Sequence, residues 1–156
     1  MPKIDVPSLP TVTGTSYPKP FDAPCRAREN TRLGLAAGLT QFGVNRTLLP
    51  PGTWSSQRHW HELEDEFIYV IEGEVVLIED DGEQILRPGD AAGFRAGVRV
   101  GHHLVNRSEE DAVLLTVGSR NDADSGEYSD IDMKFSAGRY STPAGGGFAR
   151  KDGTPY

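Results

Sequence analysis

The stretch EFIYVIEGEVVLIEDDGEQILRPGD, Glu66 to Asp90, sets short apolar runs between Gly73, Asp81-Gly82 and Pro88-Gly89. Each run is too short for a stable helix, and its composition favours extended backbone, so the stretch reads as strand, turn, strand, hairpin, strand, turn. Asp81-Gly82 supplies a favoured two-residue hairpin turn. Working outward, QFGVNRTLLPPG is a strand stopped by Pro50-Pro51-Gly52, and AAGFRAG, VRVGHHLVNRS and DAVLLTVGS continue the series. Strands this short and evenly spaced, from about Arg32 to Ser119, predict an all-β sandwich or barrel.

At 156 residues the chain suits one domain, able to bury roughly 68–70% of the surface its unfolded chain exposes. The net charge is -7 and no cluster of Lys and Arg stands above that background, so nucleic acid is not an expected partner. No apolar run approaches the ~20 residues of a membrane span. The N-terminus MPKIDVPSLP has neither a basic nor an apolar leader region, and Cys25 is the one cysteine. A reducing, cytoplasmic setting is the expectation, and Cys25 reads as buried packing in preference to a reactive nucleophile.

Six of the 11 prolines fall in the first 24 residues. Residues 1–31 are therefore expected to form a proline-rich arm, either disordered or lying across a neighbouring subunit. Residues 32–119 form the barrel, and residues 120–156 a polar extension in which a segment near 128–135, within YSDIDMKF, keeps enough apolar residues to dock. Gly145-Gly146-Gly147 reads as a flexible tail, since it lacks the following Lys-Ser/Thr of a phosphate loop.

SSQRHWHELEDEF, Ser55 to Phe67, carries the chemistry. On a strand His59 and His61 share one face and Trp60 takes the other, which makes a two-toothed ligand. Imidazole is the commonest neutral metal donor, and an added carboxylate completes a nitrogen and oxygen set suited to Fe, Mn, Ni, Cu or Zn. Glu62, Glu64 and Asp65 fall in a bend, whereas Glu66 heads an apolar strand face with Ile68 and Val70, where an isolated charge needs a partner. In VRVGHHLVN, His102 alternates in phase with Val100, Leu104 and Asn106, so it is preferred over His103 as the fourth ligand.

These residues resemble the cupin superfamily. Gly52, His59, His61, Glu66 and Gly73 match its first motif, and Gly89, Gly97, His102 and Asn106 its second. Arg95 stands where the family has Pro, the Gly52-to-His59 gap is one residue longer than usual, and the Gly97-to-His102 gap two longer. Those departures touch turns, not ligands. The resemblance spans about Thr40 to Ser119 and implies a double-stranded β-helix, or jelly-roll, barrel with one divalent ion, Zn, Mn, Ni or Fe, held by His59, His61, Glu66 and His102. It also implies a homodimer, with Asn106 fixing the His102 segment and Gly73, Gly89 and Gly97 as turn positions. Trp54, Trp60 and Phe94 are expected to pack.

More weakly, EDEFIYVIEGE and AGFRAGVRVGHHLVN resemble small cupins described as sugar phosphate isomerase-like. That implies a metal-dependent isomerase of a sugar phosphate or related hydroxy-carbonyl compound. A Lewis-acid metal would hold a hydroxyl and an adjacent carbonyl while a nearby base moves the proton. Glu62, Glu64, Tyr69 and His103 are the candidate bases, and Arg46, Arg58, Arg95 and Arg99 the candidate phosphate forks. Two other classes stay open: an Fe-dependent dioxygenase or metal-assisted lyase acting on a small carboxylated substrate, and a non-enzymatic sugar or organic-acid binding module. In the last, the outer strand face with Phe67, Tyr69 and Ile71 would mediate assembly.

Overall fold

The computed structural model describes residues 3–138, 141 and 147–156. Its strands in chain order are β1 (Thr11–Thr13), β2 (Glu29–Thr31), β3 (Phe42–Leu49), β4 (His59–His61), β5 (Glu66–Glu72), β6 (Val75–Glu79) and β7 (Gly82–Leu86). They continue as β8 (Ala91–Phe94), β9 (His103–Val105), β10 (Ala112–Ser119), β11 (Gly126–Tyr128), β12 (Lys134–Phe135) and β13 (Phe148–Ala149). Among the described residues the α-helix is the single turn α1 (Leu33–Ala36).

The strands form three antiparallel sheets, ordered β1-β2-β3-β10-β5-β8, β13-β12-β11-β4 and β7-β6-β9. The fold is thus the all-β barrel expected. Alternation along β5 shows why it closes around a core. Ile68 and Val70 point inward, and Val70 is fully buried, whereas Phe67, Tyr69 and Ile71 point out. Opposite them Leu114 pairs with Val70 and Thr116 with Ile68, and Leu49, Val75, Leu77, Leu86, Leu104 and Ala112 complete the cluster. Full burial of one such aliphatic side chain contributes about 1.5–3 kcal/mol.

Two turns matter for the site's frame. Gly73 has φ +73°, and a Cβ there would collide with the Asp111 carbonyl oxygen, so the β5–β6 turn requires glycine. The β6–β7 hairpin turns at Asp80-Asp81, one residue before the expected Asp81-Gly82, because Gly82 already pairs with Glu79. Asn106 is fully buried: its Nδ2 donates to the carbonyls of Leu49 and Glu110, both at 2.7 Å, and its Oδ1 accepts from the Ser108 amide. It closes the turn after β9 and ties it to β3.

In the single chain described, the proline-rich segment packs on the large sheet. β1 and β2 extend the large sheet through β3, Cys25 is fully buried, and the Pro24 carbonyl accepts from the Trp54 amide. What draws the segment down is aromatic burial. Tyr17 and Phe21 pack against Tyr128, Met133 and Phe135 in a second cluster, which also takes in Ile131 and Phe148. The C-terminal segment is held by the same cluster. Gly145 and Gly146 of the triple glycine lie outside the described residues. No helix among the described residues is long and apolar enough to cross a membrane.

Candidate metal centre

The backbone ladder places three of the four residues. His59 and His102 form an isolated antiparallel bridge, with each amide donating to the other's carbonyl at 3.2 and 2.9 Å. Directly opposed residues share a face, so the His102 side chain falls beside His59, and His61 joins them two residues along β4. The ring centroids of His59 lie 5.0 Å from His61 and 5.1 Å from His102. Glu66 begins β5 opposite Gly118 and Phe94, and reaches into the same space. Phe94 stacks on the His102 ring at 3.6 Å with the planes 2° apart, which fixes that ring's plane.

One oxygen collects the three imidazoles. Glu66 Oε2 lies 2.8 Å from His102 Nε2 and 3.6 Å from both His59 Nε2 and His61 Nε2. His59, His61 and Glu66 offer ligand atoms all within 4.8 Å of one another, close enough to share one ion, and His102 meets that group through Glu66 Oε2. Burial pushes the His59 imidazole down to about 3, with Glu66 opposing and the other two rings adding to the shift. Burial alone would raise the Glu66 carboxyl, but the His102 hydrogen bond and the neighbouring imidazoles hold it well below the usual carboxylate range. At neutral pH His59 is therefore a neutral imidazole donor beside an ionised Glu66. Among the described residues the imidazoles are the groups that stand within 4 Å of the Glu66 carboxylate, and a cation fits the charge that a neutral ring leaves uncompensated.

The far edges of the rings are held as well. His59 Nδ1 donates to the Gln57 carbonyl at 2.9 Å, which leaves Nε2 with its lone pair. His61 Nδ1 lies 2.6 Å from Asp124 Oδ2, and Asp124 is fully buried. Sequence reasoning missed Asp124, which sits in a polar loop with no periodicity and meets His61 across 63 residues. His61, Glu64 and Asp124 are close enough to hold an ion of their own. However, the 2.6 Å contact is a hydrogen-bond length, and both acids also accept backbone amides, Leu63 on Asp124 and Asn121 on Glu64, each at 2.8 Å.

A family model described as a cupin domain matches residues 45–118. A protein from Silicibacter pomeroyi, described as a sugar phosphate isomerase from a cupin superfamily, is 44% identical with a TM-score of 0.92, covering 99% of this chain and 96% of its own. The chain belongs to the cupin superfamily. A putative sugar phosphate isomerase from Acidithiobacillus ferrooxidans is 31% identical, with a TM-score of 0.68 over 71% of this cupin and 70% of its own chain. A predicted oxalate decarboxylase from Thermotoga maritima is 26% identical, with a TM-score of 0.52 over 60% and 81%. No curated protein matches.

Around this cupin's histidine cluster, the other expected residues take different places. Tyr69 faces outward and is 40% exposed. His103 Nδ1 donates to the Ser56 carbonyl at 3.1 Å and its ring packs edge-on against Trp54, away from Glu66. Glu62 pairs with Arg99, which also lies 5.1 Å over the Trp60 ring on the face of β4 opposite His59 and His61. Glu64 is buried on the Nδ1 side of His61, 4.0 Å from that nitrogen. Arg58 is clamped between Asp130, at 2.6 Å, and Asp80. Arg95 is exposed in the turn after β8, and Arg46 lies on the face of β3 opposite the buried Thr47.

Proposed function

We propose that this cupin is a metal-dependent isomerase of a sugar phosphate or a similar hydroxy-carbonyl compound, with one divalent ion, Zn, Mn, Ni or Fe, held by His59, His61, Glu66 and His102. The observation that carries the reading is the convergence of three imidazole Nε2 atoms on Glu66 Oε2. The Silicibacter protein's description as a sugar phosphate isomerase, at 44% identity over nearly the whole chain, supports the substrate class. When bound, the ion supplies Lewis acidity toward a hydroxyl and an adjacent carbonyl.

The protein's own part is positioning of the donors. His59 and His61 enter from β4 and His102 from the segment bridged to it, while Phe94 covers one face of the His102 ring. Glu66 keeps its carboxylate ionised at the head of the apolar face of Ile68 and Val70. The side chain of Glu66 stays 32% exposed, which gives a small molecule an approach from that side. The outward apolar face of β5 fits a homodimer.

The test is incubation with a panel of aldose and ketose phosphates in deuterium oxide, followed by proton NMR, beside His59→Ala. Interconversion with deuterium entering next to the carbonyl, lost in the variant, is expected. Sugars returned unchanged by a metal-loaded protein would sink the isomerase reading. Carbon dioxide released from a small dicarboxylate would then favour a lyase, a reading supported by the similarity to a predicted oxalate decarboxylase.

A further inference from the structure

We propose that Asp124 is a positioning residue for the metal centre, seconded by Glu64, and that it couples docking of the segment after Ser119 to occupancy of that centre. The inference rests on the reading of His59, His61, Glu66 and His102 as the ligands.

An ionised carboxylate only accepts hydrogen bonds, so the 2.6 Å contact to Asp124 Oδ2 places the ring proton of His61 on Nδ1. In a neutral ring so held, Nε2, the nitrogen 3.6 Å from Glu66 Oε2, carries the lone pair. Asp124 is itself immobilised, because its Oδ1 accepts the Leu63 amide at 2.8 Å and its side chain is fully buried. Glu64 mirrors it from the other loop: its Oε1 accepts the Asn121 amide at 2.8 Å, and its Oε2 lies 4.0 Å from the same His61 Nδ1. Each loop's acid thus holds the other loop's backbone, and both acids bear on one imidazole.

The segment that carries Asp124 goes on to wall the site. β11 pairs with β4 in the register Gly126 to His61 and Tyr128 to His59, and the Phe135 ring lies 5.0 Å from that of His61. Gly126 is required there, because a Cβ would strike the Trp60 carbonyl and lie 2.5 Å from Phe135 Cζ. His61 is therefore held between the ligand cluster on one edge and this segment on the other. Partners of a ligating imidazole set its orientation and basicity. By reciprocity, an ion that favours the held ring also favours the docked segment.

The test is a Zn2+ titration against a chromophoric chelator, comparing the wild type with Asp124→Asn. Asparagine replaces one of the two carboxylate oxygens with an NH2 donor, so either the Leu63 amide or the His61 Nδ1–H then faces a donor. Zn2+ affinity is expected to fall about 10–100-fold, and Zn2+ should slow amide hydrogen exchange at Glu127 and Tyr128 more in the wild type than in the variant. A folded variant with a lowered metal-free thermal midpoint but unchanged Zn2+ affinity would assign Asp124 a merely structural role and overturn the inference. If the variant does not fold, nitrogen NMR shifts of His61 in the metal-free wild type decide: a proton on Nδ1 is expected, and one on Nε2 overturns it. A wild type that binds neither Zn2+, Mn2+, Ni2+ nor Fe2+ overturns the ligand reading along with the inference, and no other outcome does both.

Discussion

His59 sits among three neighbouring titratable groups with its imidazole driven down to about 3, chiefly by burial. In the unfolded chain an ordinary histidine takes a proton near 6.5, so between those values the unfolded state binds more protons and stability falls as the pH falls. Glu66 acts in the same direction below about 4.5, since its folded carboxyl stays ionised to lower pH than an ordinary one. The urea midpoint of the metal-free protein should therefore drop steadily from pH 6.5 to pH 4, and His59→Ala should flatten that slope. Alanine at His59 or at His102 should also strip most of the bound metal while leaving a folded barrel, read by elemental mass spectrometry beside circular dichroism. Full occupancy in either variant would remove that residue from the ligand set. Cys25 is the contrasting residue. It is fully buried, and burial pushes its thiol up to about 11. A disulfide reagent at pH 8 should leave it unmodified until denaturant is added, and prompt reaction in the native protein would contradict its packing role.

At the level of strands, period-two alternation made β5 legible, and with it the inward Ile68 and Val70 and the placing of Glu66 at the head of their face. The same rule ranked His102 over His103, and the bridge to His59 gives the physical reason for that ranking. Elements held by tertiary contacts alone were not legible in this way. β1 and β2 are three residues each, and proline content concealed their addition to β3. Asp124 has no periodic neighbour to mark it, and it matters because β11 happens to deliver its loop to His61. The hairpin shift from Asp81-Gly82 to Asp80-Asp81 shows the usual one-residue latitude of turn chemistry. Where β5 and β10 meet, Leu114 is fully buried opposite Val70. Leu114→Ala should therefore cost about 2–5 kcal/mol, read from the urea midpoint at unchanged m-value. A loss below half that range would mean the barrel wall collapses to fill the space.

On the scale of the whole molecule, one face of the large sheet stands out. Phe67, Tyr69 and Ile71 are 44%, 40% and 41% exposed on β5. In register with them, Val117 pairs with Phe67 and Leu115 with Tyr69 on β10, and on β3 Val44 follows Val117 while Arg46, beside Leu115, borders the patch with a charge. Contiguous apolar sheet surface of this kind is uncommon on a free monomer. With a net charge of -7, copies of the chain repel one another overall, and an uncharged face is a place where that cost is small. A two-fold contact through this face would use the same patch on both copies, and a stable one needs about 800 Å² from each. The metal ligands lie on the opposite side of β5, so the two roles separate cleanly by mutation. Phe67→Lys combined with Tyr69→Lys should halve the mass seen by light scattering on a sizing column, while bound metal per chain stays unchanged. Persistence of the dimer in that variant would move the interface elsewhere. A wild type that runs as a monomer would leave this apolar face to contacts other than self-association.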